Sequence, residues 1–259
     1  MALLDRLARQ RQSMSMARLA SELALPKSSV HGLCNTLLSL GYLQKQGDGS
    51  LQLGPRVMSL AEAFVATTDV AREFDLLWQS DQLQQGPEET MLLSVLDGGD
   101  VVYLAARAGT RPLGMAFNKG MRLPAHLAAT GRAMLAFSEA EQIRRLLAAT
   151  PLAALTPRSQ TDAQTLMAEL AQVRQRGFSI DDEGVRLGVY GLAAPVLDAG
   201  GRPVAGVGLC LNKATLPSED LAQQQQRVVQ AARALSQRLG GDGPLAAAAS
   251  TLTQPAQPA

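Results

Sequence analysis

The segment from Lys27 to Thr36 has side chains of the kinds that contact DNA. Its polar members, which flank Gly32, are Lys27, Ser28, Ser29, His31, Asn35 and Thr36. A lysine and hydroxyl groups at the start of a helix can hold phosphates, helped by free backbone N–H groups and the positive end of the helix dipole. Asparagine has the donor–acceptor pair that matches adenine, and histidine can donate to guanine or to a phosphate. We therefore expect these residues to contact phosphates and base edges, with Gly32 allowing the backbone to approach closely.

An apolar stripe in the same segment predicts the helix that would present them. Pro26 suits the first turn of a helix, where its missing N–H group costs nothing. Five apolar residues follow at helical spacing and predict one buried face: Val30, Leu33, Cys34, Leu37 and Leu38. Gly41 predicts a left-handed end to a helix over 26–40. The surface helix of any small helical domain would show the same two faces, so this helix alone leaves both interpretations open.

The flanking segments complete the layout of a winged helix-turn-helix. Leucines at helical spacing predict a helix over residues 1–11, and Ser15 can cap a second helix that runs to Leu23. The letters GDG at 47–49 separate two short extended runs, Tyr42–Gln46 and Ser50–Leu53, and are a strong hairpin signal. Lys45 lies on the first of these runs and is a further predicted DNA contact.

Charge is distributed unevenly between this region and the rest of the chain. Residues 1–56 contain seven Lys or Arg and three acidic residues, whereas the remaining residues contain 17 basic and 20 acidic ones. The N-terminal part therefore has a net charge of +4 and the remainder −3, although the whole chain is only +1. A basic head on a mildly acidic body indicates a separate module that binds a polyanion.

Composition and motifs disfavour several other classes of protein. The two cysteines lie far apart in apolar runs, which predicts reduced core thiols in a cytosolic protein. The sequence has neither a signal-peptide pattern nor an apolar run long enough for a membrane span, so we expect a soluble protein of the cytoplasm with no membrane partner. Only two histidines are present, and the sequence lacks nucleophile-elbow, phosphate-loop and zinc-protease motifs. We therefore predict no catalytic residues, no metal and no cofactor.

The remainder of the chain mixes strands and helices without a strict βαβ repeat. Two hairpins are predicted over residues 89–109 and 189–212, with helices between them and a closing helix after them. This order predicts an α+β domain with an antiparallel sheet. We divide the chain into a winged helix-turn-helix (1–56), a linker helix (57–74), an effector-binding domain (75–240) and a disordered tail (241–259).

Six segments match a known family in their order and at about its spacing. They are LASELALPKSSVHGLCNTLLSLGYL, GSLQLGPRVMSLA, RLPAHLAATGRAMLA, LAQVRQRGFSIDDE, GLAAPVLDAGG and VAGVGLCL. Together they resemble the isocitrate lyase regulator (IclR) family of bacterial transcription factors, over nearly the whole chain from Leu3 to Leu239. The resemblance implies a GAF-like effector domain, a dimer or dimer of dimers, and operator binding modulated by a small metabolite, often an organic or aromatic acid.

The resemblance also implies a place for the effector, between LPAHLAATGRA and the second hairpin. The predicted effector-binding residues are Leu123, Ala128, Gly131, Asp181, Tyr190, Gly191, Gly208 and Cys210. Positions often polar in the family fall on Ala128, Gly208 and Cys210, so we expect a less polar cavity and a larger or more apolar ligand. Asp181 keeps the family's acid, although residues 181–183 can equally be read as a solvated turn. Arg132 could pair with an acid but is expected to be a surface charge, and His126 is expected at the edge of the core.

Two residues depart from the family pattern. The family usually has glycine in the helix-turn-helix turn, where this chain has Ala24, and often has arginine at the position of Gly32. The sequence thus predicts a ligand-responsive regulator that binds a near-palindromic operator as a dimer. A rival interpretation is a metabolite-binding or enzymatic module whose N-terminal helices only mediate dimerisation.

Overall fold

The computed structural model of this chain forms two compact units, residues 1–67 and 68–259. The structure describes residues 2–10, 12–60, 69–79, 89–109, 117–149, 151–216 and 221–241. Most of the predicted tail and part of the predicted linker helix lie outside these ranges.

The first unit has three helices, then a small hairpin and the start of a fourth helix. Its elements are α1 (Ala2–Gln10), α2 (Met16–Glu22), α3 (Lys27–Ser39), β1 (Leu43–Lys45), β2 (Leu51–Leu53) and α4, which begins at residue 56 and is described to residue 60. Strands β1 and β2 pair antiparallel, and Met14 adds a short bridge to Leu51 that the sequence did not predict. The predicted order of helices and hairpin is therefore confirmed.

Local signals in the sequence explain the ends of these helices. The Ser15 hydroxyl accepts a hydrogen bond from Arg18 N at 3.3 Å and caps α2. Helix α3 starts after Pro26 and ends in a Schellman motif. In that motif Gly41, at φ +76°, donates to Leu38 O and Tyr42 donates to Leu37 O.

The core of the first unit is aliphatic and covers a narrower part of α3 than the sequence predicted. It contains Val30 and Cys34 of α3, packed with residues from the other elements such as Leu7, Leu19 and Leu51. Leu33 is 50% exposed, so its predicted burial is wrong. At 100° per residue, Leu33 is rotated about 60° from Val30 and 100° from Cys34, beyond the side that the core covers.

The second unit is built on a six-stranded antiparallel sheet with the order β5-β4-β3-β8-β7-β6. The strands are β3 (Thr90–Asp97), β4 (Asp100–Arg107), β5 (Arg122–Pro124), β6 (Ser179–Asp182), β7 (Val189–Leu197) and β8 (Pro203–Asn212). The helices are α5 (Asp69–Gln79), α6 (Ala129–Phe137), α7 (Ala140–Ala149), α8 (Ala163–Arg176) and α9 (Leu221–Arg238), with a 3₁₀ turn at Lys213–Thr215. This arrangement confirms the predicted α+β class. The short edge strands β5 and β6 were not predicted.

Helix α6 lies very close to strand β8, and two glycines make that approach possible. A Cβ atom on Gly206 would lie 2.9 Å from Thr130 O, and one on Gly208 would lie 2.8 Å from Thr130 Cγ2. Both distances are too short for real side chains, so any larger residue would push α6 away from the sheet. The start of α6 is thereby fixed against the middle of β8.

Candidate nucleic-acid interface and effector cavity

The predicted DNA contacts of α3 all lie on its solvent-exposed side. The exposed residues are Lys27, Ser28, Ser29, His31, Gly32, Asn35 and Thr36. Three successive turns of helix thus present a polar surface with no packing partner among the described residues. Placement and exposure agree with a groove-facing helix, and the contact itself stays a prediction.

Hydrogen bonds within α3 determine which of its side chains can still donate. The Thr36 hydroxyl donates to Gly32 O at 3.1 Å, and the Ser39 hydroxyl donates to Thr36 O at 2.8 Å. His31 and Asn35, one turn apart, bond to each other through Nδ1 and Nδ2 at 3.2 Å. The hydroxyls of Thr36 and Ser39 therefore retain only acceptor capacity toward a ligand.

The hairpin beside α3 has a tight tip. Asp48 Oδ1 accepts hydrogen bonds from Ser50 N at 2.9 Å and from the Ser50 hydroxyl at 2.6 Å. These bonds hold the pKa of Asp48 below its ordinary value, with the hydroxyl as the larger cause. Gly49 follows at φ +83°, and Lys45 extends into solvent beside this turn. A lysine on a short, well-held hairpin can reach a phosphate next to the groove that α3 would enter.

Six of the eight predicted effector-binding residues line one cavity in the second unit. They are Leu123, Ala128, Asp181, Gly191, Gly208 and Cys210. Gly131 and Tyr190 do not line it. A Cβ atom on Gly131 would lie 2.2 Å from Ala125 O, so this glycine lets α6 pack on the turn before it. Tyr190 precedes Gly191 in β7 and is half-buried, whereas Gly191 is buried.

Nine further residues complete the wall of this cavity. They are Leu92, Tyr103, Phe117, Ala129, Thr130, Val185, Val189, Leu192 and Leu209. The rings of Tyr103 and Phe117 meet edge to face, with centroids 5.3 Å apart. Alternation along β4 could have indicated Tyr103 as an inward side chain. The others depend on the register of β3, β7 and β8, which the sequence alone does not reveal.

The cavity is narrow and mostly apolar. The centre of a water molecule can occupy only about 20 Å³ of it, which is room for one or two waters. None of its described wall residues is a lysine, an arginine or a histidine. A metabolite therefore has to move side chains or a whole element in order to enter.

Asp181 is buried in the cavity wall, so the interpretation of this residue as part of a solvated turn is wrong. Its carboxylate accepts hydrogen bonds from Gly184 N at 2.8 Å and Val185 N at 3.3 Å, and lies 3.7 Å from Arg132 Nη2. Burial raises the pKa of Asp181, and the Arg132 charge together with the two N–H groups opposes that rise. The Asp181 carboxylate already has partners, so a ligand in the cavity would lie beside a carboxylate that is paired with Arg132.

Arg132 is also buried, which corrects the expectation of a surface charge. Its guanidinium donates to Ile180 O, and Nη1 lies 3.3 Å from Glu169 Oε2. It therefore joins α6, α8 and β6 behind the cavity wall. A buried arginine is tolerated because both acidic partners and a carbonyl surround it.

The start of α6 faces the cavity without a capping side chain. Ala128 occupies the N-cap position and offers no side-chain acceptor, so the first-turn N–H groups have no acceptor within the helix. Thr130 is 3% exposed, and its Oγ1 completes no hydrogen bond with any described residue. Burial raises the pKa of nearby Tyr103, and Thr130 opposes that rise, although the two hydroxyls do not reach hydrogen-bond geometry. The cavity thus contains unused hydrogen-bond donors.

Comparison with known proteins decides the family. The model for the IclR helix-turn-helix domain matches residues 1–47, and the model for the bacterial transcriptional regulator IclR C-terminal region matches residues 63–237. The chain belongs to the IclR family. The Escherichia coli K12 regulator XynR is 28% identical, with 92% of this chain and 94% of XynR covered.

Solved structures agree with the fold. The Agobacterium tumefaciens repressor BlcR is 34% identical with a TM-score of 0.60, and the match covers 93% of this chain and 96% of that one. An IclR transcriptional regulator from Silicibacter sp. is 25% identical with a TM-score of 0.80, over 94% and 98% of the two chains. This IclR-family chain is therefore a DNA-binding transcriptional regulator and not an enzyme, and the rival interpretation is not favoured.

The structure clarifies one departure from the IclR pattern. Ala24 lies in the left-handed region at φ +51°, the conformation for which glycine is best suited. The turn between α2 and α3 therefore keeps the backbone geometry that glycine would adopt while an alanine occupies it.

Within the described ranges, no helix has the length and apolarity needed to cross a bilayer.

Proposed function

We propose that this IclR-family regulator acts as a homodimer, or a dimer of dimers, on a near-palindromic operator in the cytoplasm. Each subunit would place α3 in the major groove, with the β1–β2 hairpin and Lys45 beside it. The exposed polar surface of α3 carries this proposal, because a helix with such a face and no packing partner is suited to reading a groove. A two-fold arrangement of two such helices favours a two-fold operator.

The proposed effector is a small organic or aromatic acid in the cavity of the second unit. Its carboxylate would accept hydrogen bonds from the free N–H groups at the start of α6 and from the Thr130 hydroxyl, since the positive end of a helix stabilises an anion. Its apolar body would lie against Leu92, Tyr103 and Phe117. Because Arg132 pairs with Asp181, the acidic wall residue offers less repulsion to a second carboxylate than a free one would.

The narrowness of the cavity connects effector binding to a change in structure. A ligand larger than one or two waters would require the wall to rearrange, so the effector would favour one conformation over another. That preference would alter the affinity for the operator, in whichever direction the two conformations differ in DNA binding.

DNA binding by the full chain can be tested by its dependence on salt. When a protein displaces counterions from DNA phosphates, the logarithm of its binding constant falls linearly with the logarithm of the salt concentration. The slope is about −0.9 per phosphate contacted. We expect a steep slope on a duplex with inverted repeats and a weaker complex on a single half-site. Binding that is independent of salt, or equal on both duplexes, would contradict the groove-facing dimer.

The effector proposal can be tested by thermal unfolding with matched ligands. Benzoate and its neutral analogue benzamide have almost the same shape, so only the acid should raise the unfolding temperature appreciably. A ligand of the folded state at about 100 times its Kd adds about 2.7 kcal/mol of stability. Equal shifts with both compounds would show that the carboxylate is not recognised.

A further inference from the structure

Donors for base recognition are scarce on α3 beyond its first turn. Throughout this helix, all of which the structure describes, the polar side chains after Ser29 are His31, Asn35, Thr36 and Ser39. The Thr36 and Ser39 hydroxyls already donate to backbone carbonyls of the same helix. Readout of base acceptors in this part of the groove therefore depends on the side-chain N–H groups of His31 and Asn35.

The hydrogen bond between these two side chains fixes the role of each atom. The nitrogen of an asparagine amide is only a donor, so Asn35 Nδ2 donates to His31 Nδ1, 3.2 Å away. His31 Nδ1 must then be the unprotonated ring nitrogen, and the hydrogen of the neutral ring is on Nε2. One Nδ2 hydrogen and both lone pairs of Asn35 Oδ1 remain free.

The remaining atoms of Asn35 match the major-groove edge of adenine. Adenine presents the N7 acceptor and the N6 donor side by side, and an asparagine amide pairs with both when its plane is correctly oriented. An exposed asparagine on a bare helix rotates freely and gives up that freedom on binding. The bond to His31 restricts the rotation in advance.

We infer that His31 is a positioning residue for base recognition, which acts by orienting the Asn35 amide toward a base pair. This role rests on the proposed insertion of α3 in the major groove. His31 need not touch that base pair itself, although its Nε2–H group is free to donate elsewhere. The two residues form one recognition unit one turn apart on the helix.

The inference is tested by selecting bound duplexes from a randomised pool with the full-length protein. For the wild type we expect a preference at one base pair of each half-site that Asn35→Ala weakens by roughly 5- to 150-fold. His31→Ala should weaken the preference at the same base pair by about 2- to 10-fold, the effect of losing one pre-ordered side chain. His31→Gln should restore it, since a glutamine one turn away can accept from the asparagine amide.

The double variant separates positioning from direct contact. In the Asn35→Ala background, His31→Ala should cause no further change at that base pair, because nothing is left to orient. If His31→Ala leaves the preference at that base pair unchanged, or weakens all duplexes equally, the inference is wrong although DNA binding stands. If the wild type enriches no duplex at all, the proposed groove contact fails and the inference fails with it.

Discussion

Gly32→Ala should raise the free energy of unfolding of the first unit and lower its affinity for DNA. Gly32 is the sixth of thirteen residues in α3, and a Cβ atom built there would meet no heavy atom within 4 Å. Glycine inside a helix costs about 0.8–1.0 kcal/mol relative to alanine. Because the added methyl group meets no described residue in the free protein, the free energy of unfolding should rise by nearly all of that amount.

The operator complex should respond in the opposite direction. Position 32 lies on the exposed polar surface, next to His31 in the sequence and about one turn before Asn35. A methyl group forced into a close-fitting contact costs about 1 kcal/mol or more. We therefore expect operator affinity to fall by about fivefold or more while the free protein becomes more stable.

Separate measurements on the full-length protein check the higher stability and the lower operator affinity. Hydrogen exchange of peptides over residues 27–39 should slow by about fivefold, and the first unit should melt about 4–8 °C higher. The single tryptophan, Trp78, lies in α5 of the second unit, so its fluorescence transition serves as an internal control and should not move. Unchanged exchange would refute the helix energetics, and unchanged operator affinity would show that Gly32 does not face the groove.

Three other changes test separate features. Ala24→Gly should stabilise the first unit by about 0.5–1 kcal/mol, because relief of the left-handed alanine exceeds the added freedom of the unfolded chain; a lower melting temperature would contradict that backbone geometry. Thr130→Val should raise the stability of the free protein by about 1 kcal/mol, since it removes a buried hydroxyl that has no partner among the described residues, and should reduce the shift that benzoate causes. Burial lowers the pKa of His126 below its ordinary value of 6.5, so the unfolded chain takes up the proton before the folded protein does. The free energy of unfolding should therefore decline as pH falls through about 6.5. Unfolding curves at pH 7.5 and 5.5 should show that His126→Gln makes this decline smaller.

The first unit was predictable because its signals are local. Ser15, Pro26 and Gly41 mark helix ends through interactions within a few residues, and the GDG turn fixes the hairpin in the same way. The error at Leu33 arose where a neighbouring element had to be known. Leu33 has the spacing of a core residue, but no element in the described part of the first unit covers that side.

The effector cavity was less predictable because its wall comes from distant parts of the chain. Six wall residues could be assigned by resemblance and Tyr103 by alternation along β4, whereas Thr130 emerges only once α6 is placed against the sheet. The burial of Arg132 and Asp181 likewise depends on three elements meeting around them. Charge and composition at those positions are the same as in an exposed turn, so no local pattern distinguishes the two cases.

The contact between Thr130 and Gly208 has a consequence for how such regulators diversify. The methyl group of one residue occupies the place where a side chain on the other would begin. A family member that adopts a different effector through a larger residue at position 208 must therefore first acquire a smaller residue at position 130, or change both residues together. Across family members, the residues at positions 130 and 208 should covary so that their combined side-chain volume stays nearly constant.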